Sequence, residues 1–182
     1  AEFLGKKLNV IDCPGADDFV GSAITALNVT DTGVIVNSQY GVEVGTQNIF
    51  RTVENLNKPV LFAMNQLDGE KADYDNVIEQ MREAFGPRIV QIQYPLSCGP
   101  SFNAMIDVLL MKMYSWSPEG GTPTISPIPE SEMEKALELH HKLVEAAAEN
   151  DETLMEKFFD QGTLSEDEMR EGIRKGLVTR SI

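Results

Sequence analysis

The sequence is poor in cysteine and in basic residues, and both shortages restrict what the protein can be. Only two of its 182 residues are cysteine, Cys13 and Cys98, and their spacing fits neither a disulfide framework nor a zinc motif. This usage predicts a reducing compartment. Lysine and arginine total 15 against 29 aspartates and glutamates, which gives a formal net charge of -14. Because such a surface repels phosphate backbones, we expect little direct contact with nucleic acid.

Long hydrophobic runs are also missing. No apolar stretch approaches the ~20 residues that a helix needs to cross a membrane, and the first residues lack the apolar core of a signal peptide. Hydrophobic residues make up 42% of the chain and charged residues 24%, which is ordinary for a globular fold. The composition therefore predicts a soluble, acidic, cytoplasmic protein without a membrane partner.

The first half of the chain alternates short apolar runs with helical stretches. Three runs have the apolar content and the flanking glycine, proline or asparagine of parallel strands: residues 8–12, 33–38 and 59–64. Helices are expected over residues 17–29, 44–56 and 74–85. This alternation predicts a mostly parallel sheet with helices on its faces, in which ligands bind at the carboxyl ends of the strands.

The composition changes near residue 88, and we place a domain boundary there. Residues 1–88 are predicted to form an α/β part and residues 89–182 an α+β part. The second part begins with two extended apolar stretches, 89–94 and 105–113, and continues with a loop rich in proline, glycine, serine and threonine over 117–129.

An acidic helical segment follows this loop. Residues 130–171 hold 14 acidic and 4 basic side chains. Capping boxes are predicted for Ser131 with Glu134 and for Ser165 with Glu168, because each serine and glutamate have the spacing that satisfies the first amides of a helix. The apolar face of the first helix is expected to comprise Met133, Ala136, Leu137, His140, Leu143, Val144 and Ala147.

The run 8–12 ends in the sequence Asp12-Cys13-Pro14-Gly15. A carboxylate at this point can hold Mg²⁺ through a water molecule, and the glycine lets a backbone amide approach a phosphate group. Taken alone, the same four residues are more simply explained as a turn that ends a strand.

The run 59–64 is followed by Asn65-Gln66-Leu67-Asp68. The Asp68 carboxylate can accept two hydrogen bonds from the N1–H and the exocyclic amine of guanine, a pair of donors that adenine lacks. The alternative is an Asx turn, since Gly69 comes next. The two motifs lie 53 positions apart on predicted strand ends of one sheet. Together they indicate the magnesium loop and the base-recognition loop of a GTPase.

These motifs resemble translational GTPases, and most closely the bacterial elongation factor G family. Residues 12–19 are DCPGADDF where the family has DTPGHxDF, and residues 65–68 are NQLD where it has NKxD. Residues 111–116, 141–158 and 164–168 resemble the subdomain that elongation factor G carries inserted in its GTPase domain. The resemblance implies a truncated P-loop GTPase-type sheet, mostly parallel, with an inserted α+β subdomain. It also implies GTP or GDP with Mg²⁺, the ribosome as partner, and ribosomal stalk protein at the acidic insertion.

The resemblance assigns a nucleotide site residue by residue. The nucleotide-binding residues are Asp12, Cys13, Pro14, Gly15, Ala16, Asn65, Gln66 and Asp68, with Asp12 holding Mg²⁺ through water. Ser97-Cys98 precedes the insertion helices and is interpreted as a structural turn instead of the family's last base-contacting loop.

Two departures from the family pattern limit the implied activity. No Gly-x-x-x-x-Gly-Lys-Ser/Thr phosphate loop is present, and the single Gly-Lys pair is Gly5-Lys6. We therefore expect an excised piece whose nucleotide and Mg²⁺ are bound only by the full-length protein. Ala16 replaces the family histidine that positions the attacking water, so no catalytic residue is assigned and hydrolysis is expected to be impaired. The alternatives are a non-hydrolysing ribosome-docking or regulatory domain and a tetracycline-resistance-type ribosomal protection protein.

Overall fold

The computed structural model describes residues 1–3 and 5–182. The strands are β1 (Glu2–Phe3), β2 (Lys6–Lys7), β3 (Gly33–Asn37), β4 (Val60–Met64), β5 (Gln93–Pro95), β6 (Ala104–Asp107), β7 (Lys112–Ser115) and β8 (Thr124–Ser126). The α-helices are α1 (Val20–Val29), α2 (Val44–Asn55), α3 (Tyr74–Phe85), α4 (Glu130–Ala148), α5 (Glu152–Gln161) and α6 (Glu166–Thr179), and a 3-10 turn, Asp17–Phe19, precedes α1.

Parallel pairing in the first part joins β3 to β4. Their register runs from Gly33 opposite Val60 to Asn37 opposite Met64. Alternate residues of β3 are buried, so Ile35 lies in the core while Val34 is exposed. The strands predicted over 33–38 and 59–64 and the three predicted helices are present with ends shifted by a few residues at most. The predicted α/β fold class is confirmed.

The strand predicted over residues 8–12 is wrong. Ala1 and Leu8 exchange two backbone hydrogen bonds of 2.8 Å, which extend the antiparallel pair β1–β2. Val10, two residues further on, is 81% exposed. An apolar run becomes a strand only where a neighbouring backbone pairs with it, and this run is not paired with β3. In the described residues the parallel sheet therefore has two strands where the sequence predicted three.

The second part contains a four-stranded antiparallel sheet in the order β5-β6-β7-β8. The stretch predicted as extended over 105–113 is broken by a hairpin turn between β6 and β7. The Asp107 carboxylate accepts a 2.8 Å hydrogen bond from the Leu110 amide, and Met111 adopts a positive φ of 52°. The aspartate turns the chain inside an apolar run, as short polar side chains often do.

One of the two predicted capping boxes forms. The Ser165 and Glu168 side chains cap each other's backbone amides at the start of α6, so this prediction is confirmed. The box predicted for Ser131 and Glu134 is wrong, because α4 begins at Glu130 directly after Pro129 and Ser131 lies inside its first turn. Proline fixes φ near the helical value and favours a helix start.

The buried face of α4 differs from the predicted one. Leu139 is buried while Leu137 is 53% exposed and Met133 is also exposed. The buried residues of α4 are Ala136, Leu139, Leu143, Val144, Ala147 and Ala148. This face follows from packing against α5 and α6, where small alanines allow close approach: a Cβ at Gly172 of α6 would collide with the backbone of Ala147.

A single hydrophobic core crosses the predicted domain boundary. It joins Tyr74 and Met81 of α3 to Ile106 of the second sheet and Leu143 of α4. The Tyr74 hydroxyl also donates a 2.7 Å hydrogen bond to the backbone oxygen of Gln93. The boundary at residue 88 stays a prediction; a second, smaller cluster formed by Leu27, Ile35 and Val53 lies within the first part. In the described part of the chain, no helix is both long and apolar enough to cross a membrane.

Candidate functional site

The candidate site lies where β3 and β4 end side by side. The Asn65 amide donates a 2.8 Å hydrogen bond to the backbone oxygen of Asn37, which continues the β3–β4 pairing by one residue. The Asn65 side-chain oxygen then accepts a 2.9 Å hydrogen bond from the amide of Gln66. Gln66 has a φ of 58°, and its backbone oxygen accepts from Gly69 at 3.0 Å. Asn65–Asp68, named here the base-recognition loop, is thus a tight turn.

Burial separates the four side chains of the base-recognition loop. Leu67 is only 6% exposed and belongs to the main core, whereas Asn65, Gln66 and Asp68 are exposed. With Leu67 buried in the core, the side chains of its neighbours Gln66 and Asp68 are left exposed to solvent. No ion pair or hydrogen bond to the Asp68 carboxylate is found among residues 1–3 and 5–182. Its two oxygens are therefore both available to accept hydrogen bonds from a pair of donors on a ligand.

Two polar residues beside the loop, one buried and one half-buried, were missed in the sequence. Asn37 is 1% exposed, and its side-chain oxygen accepts a 3.3 Å hydrogen bond from the Thr46 hydroxyl. The Gln39 side chain packs so closely on Gly69 that a Cβ at Gly69 would collide with it. In the described structure the side-chain nitrogen of Asn37 and the side-chain oxygen of Gln39 are buried without a hydrogen-bond partner. The sequence did contain a signal for these two residues, because they are polar and lie at and just beyond the end of the apolar run of β3.

The segment Asp12–Ala16 is not assembled with the base-recognition loop. Asp12, Pro14, Gly15 and Ala16 are exposed, and Cys13 is half-buried with its sulfur 3.9 Å from the backbone oxygen of Ser22. No hydrogen bond among the described residues links this segment to β3 or β4. The cause is that the run 8–12 is not paired with β3. Only a strand beside β3 would bring Asp12 to the same sheet edge as Asn65.

The residues present do not form a magnesium or phosphate site. Within the described ranges, no three histidine, cysteine, aspartate or glutamate side chains converge to hold a metal ion. A Cβ at Gly15 would meet no atom within 4 Å, so no closely packed cradle surrounds the amide that was predicted to approach a phosphate. Among the described residues, Asn65–Asp68 form a closed turn at the end of β4, whereas Asp12–Ala16 lie apart from it; the assignment of either segment to a nucleotide stays a prediction.

A parallel strand pair flanked by helices, with Asn-Gln-Leu-Asp at the carboxyl end of its second strand, defines an α/β domain of the GTP-binding class. The family model described as the elongation factor Tu GTP binding domain matches residues 2–173. The chain belongs to this family. Guanine nucleotide and Mg²⁺ are ligands of that family, and the chain is a translation-factor-like GTP-binding domain.

A solved structure supports the same fold. The chain is similar to a protein from Thermus thermophilus known from a crystal structure, with a TM-score of 0.87 and 28% sequence identity. The match covers 98% of this chain and 26% of the Thermus chain. The chain thus spans about a quarter of the length of the protein that it resembles.

Proposed function

We propose that this chain is part of a translation elongation factor of the elongation factor G type, which binds guanine nucleotide as a conformational switch on the ribosome. The observation that carries the proposal is the exposed, unpaired Asp68 carboxylate at the carboxyl end of β4, in a chain whose family match extends over residues 2–173. The segments that resemble the inserted subdomain of elongation factor G favour that type over other members of the family.

Recognition of guanine would depend on the chain's own side chains. Asp68 accepts hydrogen bonds from N1–H and from the exocyclic amine, while the aliphatic part of Gln66 covers one face of the base. Asn65 holds the turn closed through its hydrogen bond to the Gln66 amide. Gln66 replaces a lysine of the family, and its shorter, uncharged side chain covers less of the ring.

Hydrolysis of GTP is proposed to be impaired. Ala16 is exposed at the position of the family histidine. A methyl group neither orients water nor exchanges a proton, and a general acid or base is typically worth about 10²–10⁴ in rate. GTP and Mg²⁺ would bind to the full-length protein, with Asp12 holding the ion through water, because this chain provides no phosphate loop.

A non-hydrolysing ribosome-docking domain is the second candidate. It is favoured by the same Ala16 and by the exposed, unassembled segment Asp12–Ala16. The two candidates differ in nucleotide binding, since a docking scaffold needs no affinity for GTP.

The acidic second part is proposed to bind protein instead of RNA. Glu138 and Glu145 are exposed on one face of α4, Glu149 is exposed at its C-terminal cap, and the segment 130–171 carries 14 acidic and 4 basic side chains. A basic patch of the ribosomal stalk protein is the proposed partner, and the cytoplasm is the proposed location.

Base exchange at Asp68 tests the proposal. An Asp68→Asn variant of the full-length protein presents a donor where the carboxylate accepted, so it should lose affinity for GDP and gain affinity for xanthosine diphosphate, whose C2 oxygen is an acceptor. Calorimetric titration of both nucleotides measures the exchange. Glu70→Gln removes one negative charge two residues further on and should change neither affinity. A wild-type protein that binds no guanine nucleotide would favour the docking scaffold.

A further inference from the structure

We propose that the turn formed by residues 97–101 of the second part positions the base-recognition loop, and that Gly99 is the residue through which it acts. This inference rests on the proposed function, since it assigns a specificity role in the guanine recognition proposed for Asp68. Gly99 is a positioning residue because it would act on Asp68 through its backbone hydrogen bond to Leu67.

The contact is a hydrogen bond between the two parts of the chain. The Gly99 amide donates to the backbone oxygen of Leu67 at 2.8 Å. Gly99 has a φ of +85°, a left-handed conformation that side chains rarely adopt. The Phe102 amide closes the turn with a 2.8 Å hydrogen bond to the Gly99 oxygen. The glycine is therefore needed to aim its own amide at Leu67.

The position of Leu67 decides the orientation of Asp68. The Leu67 carbonyl and the Asp68 amide belong to one planar peptide group. A hydrogen bond that holds the Leu67 oxygen also holds the plane from which the Asp68 side chain projects. The start of the loop is held separately by the bond from Asn65 to Asn37, and its end by the bond from Gly69 to Gln66. Gly99 holds the middle.

The turn itself is anchored in the second sheet. It joins β5 to β6, and the Leu96 amide donates a 3.0 Å hydrogen bond to the Ala104 oxygen at its base. Cys98 and Phe102 pack against the main hydrophobic core. Leu67 belongs to that core as well, so the turn and the loop share one rigid support. The geometry of guanine recognition thus depends on the sheet that carries the acidic helices.

Substitution of Gly99 tests this role, with a matched glycine as control. Gly99→Ala strains the turn at φ +85°, and Gly120→Ala imposes a similar strain at φ +76° in the loop before β8, where an added Cβ meets nothing within 4 Å. Gly99→Asn is the conservative variant, because asparagine tolerates the left-handed conformation and keeps its backbone amide. All three are made in the full-length protein, and circular dichroism verifies that each is folded.

Discrimination between GDP and inosine diphosphate is the measurement that a merely structural role would not change. Inosine lacks the exocyclic amine and so loses one of the two hydrogen bonds to Asp68, which should weaken wild-type binding roughly tenfold. We expect the ratio of the two affinities to fall by about threefold or more in Gly99→Ala, since small misplacements of a recognition group are costly. The ratio should stay at the wild-type value in Gly120→Ala and return toward it in Gly99→Asn.

Hydrogen exchange of the peptide that contains residues 65–69 provides a second readout. It should quicken in Gly99→Ala and not in Gly120→Ala. A Gly99→Ala protein with unchanged discrimination and unchanged exchange would overturn the inference and leave the proposed function standing. A wild-type protein that does not discriminate GDP from inosine diphosphate would instead overturn the proposed function, and the specificity role of Gly99 with it.

Discussion

At the scale of single residues, the loop after β4 combines features that the sequence could and could not reveal. The residue types and spacing of Asn65 and Asp68 are visible in the sequence, and so is their position after an apolar run. The support from Asn37 and Gly99 is not visible, because it depends on backbone hydrogen bonds between residues that are distant along the chain. The residue types of the loop can be read from the sequence, whereas the distant backbone groups that hold the loop in place cannot.

Ala16 is the residue whose substitution by histidine should raise GTP hydrolysis. Ala16→His in the full-length protein should raise ribosome-stimulated GTP hydrolysis by about 10² or more, because an imidazole can orient water and exchange a proton. Ala84 is another exposed alanine, on α3, and Ala84→His serves as the control. Phosphate release on ribosomes measures both. If the unmodified protein already hydrolyses GTP as fast as an ordinary elongation factor, the role assigned to Ala16 is wrong.

At the scale of secondary-structure elements, helices were more predictable than strands. The bounds of α3 were predicted correctly because Val77, Ile78 and Met81 mark one apolar face; the structure adds a cap, in which the Asp73 carboxylate accepts a hydrogen bond from the Asn76 amide. The strand over residues 8–12 was not predictable from its own composition, since a strand requires a partner elsewhere. The turn at Asp107 was also missed, because the hydrogen bond from the Leu110 amide to the Asp107 carboxylate turns the chain within a run that is otherwise apolar.

The contact between α4 and α6 gives a prediction about stability. Gly172→Ala should lower the free energy of unfolding by about 1–3 kcal/mol, because the new Cβ would collide with the backbone of Ala147 in a closely packed interface. Gly21→Ala is the matched helical control: its Cβ would meet nothing within 4 Å, so stability should stay the same or rise by up to ~1 kcal/mol. Urea denaturation measures both. Equal stabilities of the two variants would contradict the packing argument.

The start of α6 gives a prediction about acid sensitivity. The hydrogen bond from Lys157, followed by those from Ser165, lowers the pKa of Glu168 from 4.5 to about 2. Because the pKa in the folded state is below that in the unfolded state, the carboxylate stabilises the protein fully above pH ~4.5 and loses this effect as the pH falls toward 2.

Thermal melting of wild type and Glu168→Gln at several pH values checks this prediction. The wild-type advantage in Tm should be largest near neutral pH and should shrink below pH ~4.5. Glu156→Gln, which removes an exposed carboxylate without an ion pair in the described residues, should leave the pH dependence unchanged. A Glu168→Gln difference in Tm that stays constant from pH 7 to pH 2 would show that the charge of the Glu168 carboxylate does not stabilise the fold.

At the scale of the whole molecule, the loop proposed to recognise the base is a closed turn, whereas the segment Asp12–Ala16 proposed to face the phosphates is exposed and lies apart from it. Without backbone amides and a lysine around the phosphates, most of the charge of a nucleotide has no partner. The 182-residue chain by itself should therefore bind GTP with a Kd weaker than roughly 1 mM, which corresponds to less than about 4 kcal/mol. Isothermal titration calorimetry measures this, with the full-length protein as reference. Micromolar affinity of the isolated chain would contradict the argument.

Charge is the property of the whole molecule that most directly indicates its partner. The formal net charge is -14, and the segment 130–171 accounts for most of it. Glu138, Glu145 and Glu149 are exposed and lie opposite the buried face formed by Ala136, Leu143 and Ala147. Changing them should therefore alter the surface field without disturbing the packing of α4.

Reversal of these three charges should slow association with isolated stalk protein. Electrostatic attraction mainly raises the association rate, and physiological salt screens it over about 8 Å. Glu138, Glu145 and Glu149 changed together to lysine should lower the on-rate in stopped-flow measurements and flatten its dependence on salt. The control changes Asp31, Glu79 and Glu83 to lysine, which shifts the net charge equally but at exposed positions of the first part. If both triple variants associate at the wild-type rate while circular dichroism confirms their folds, α4 is an ordinary solvated surface; if both are slowed equally, net charge alone governs binding and α4 is not the docking site.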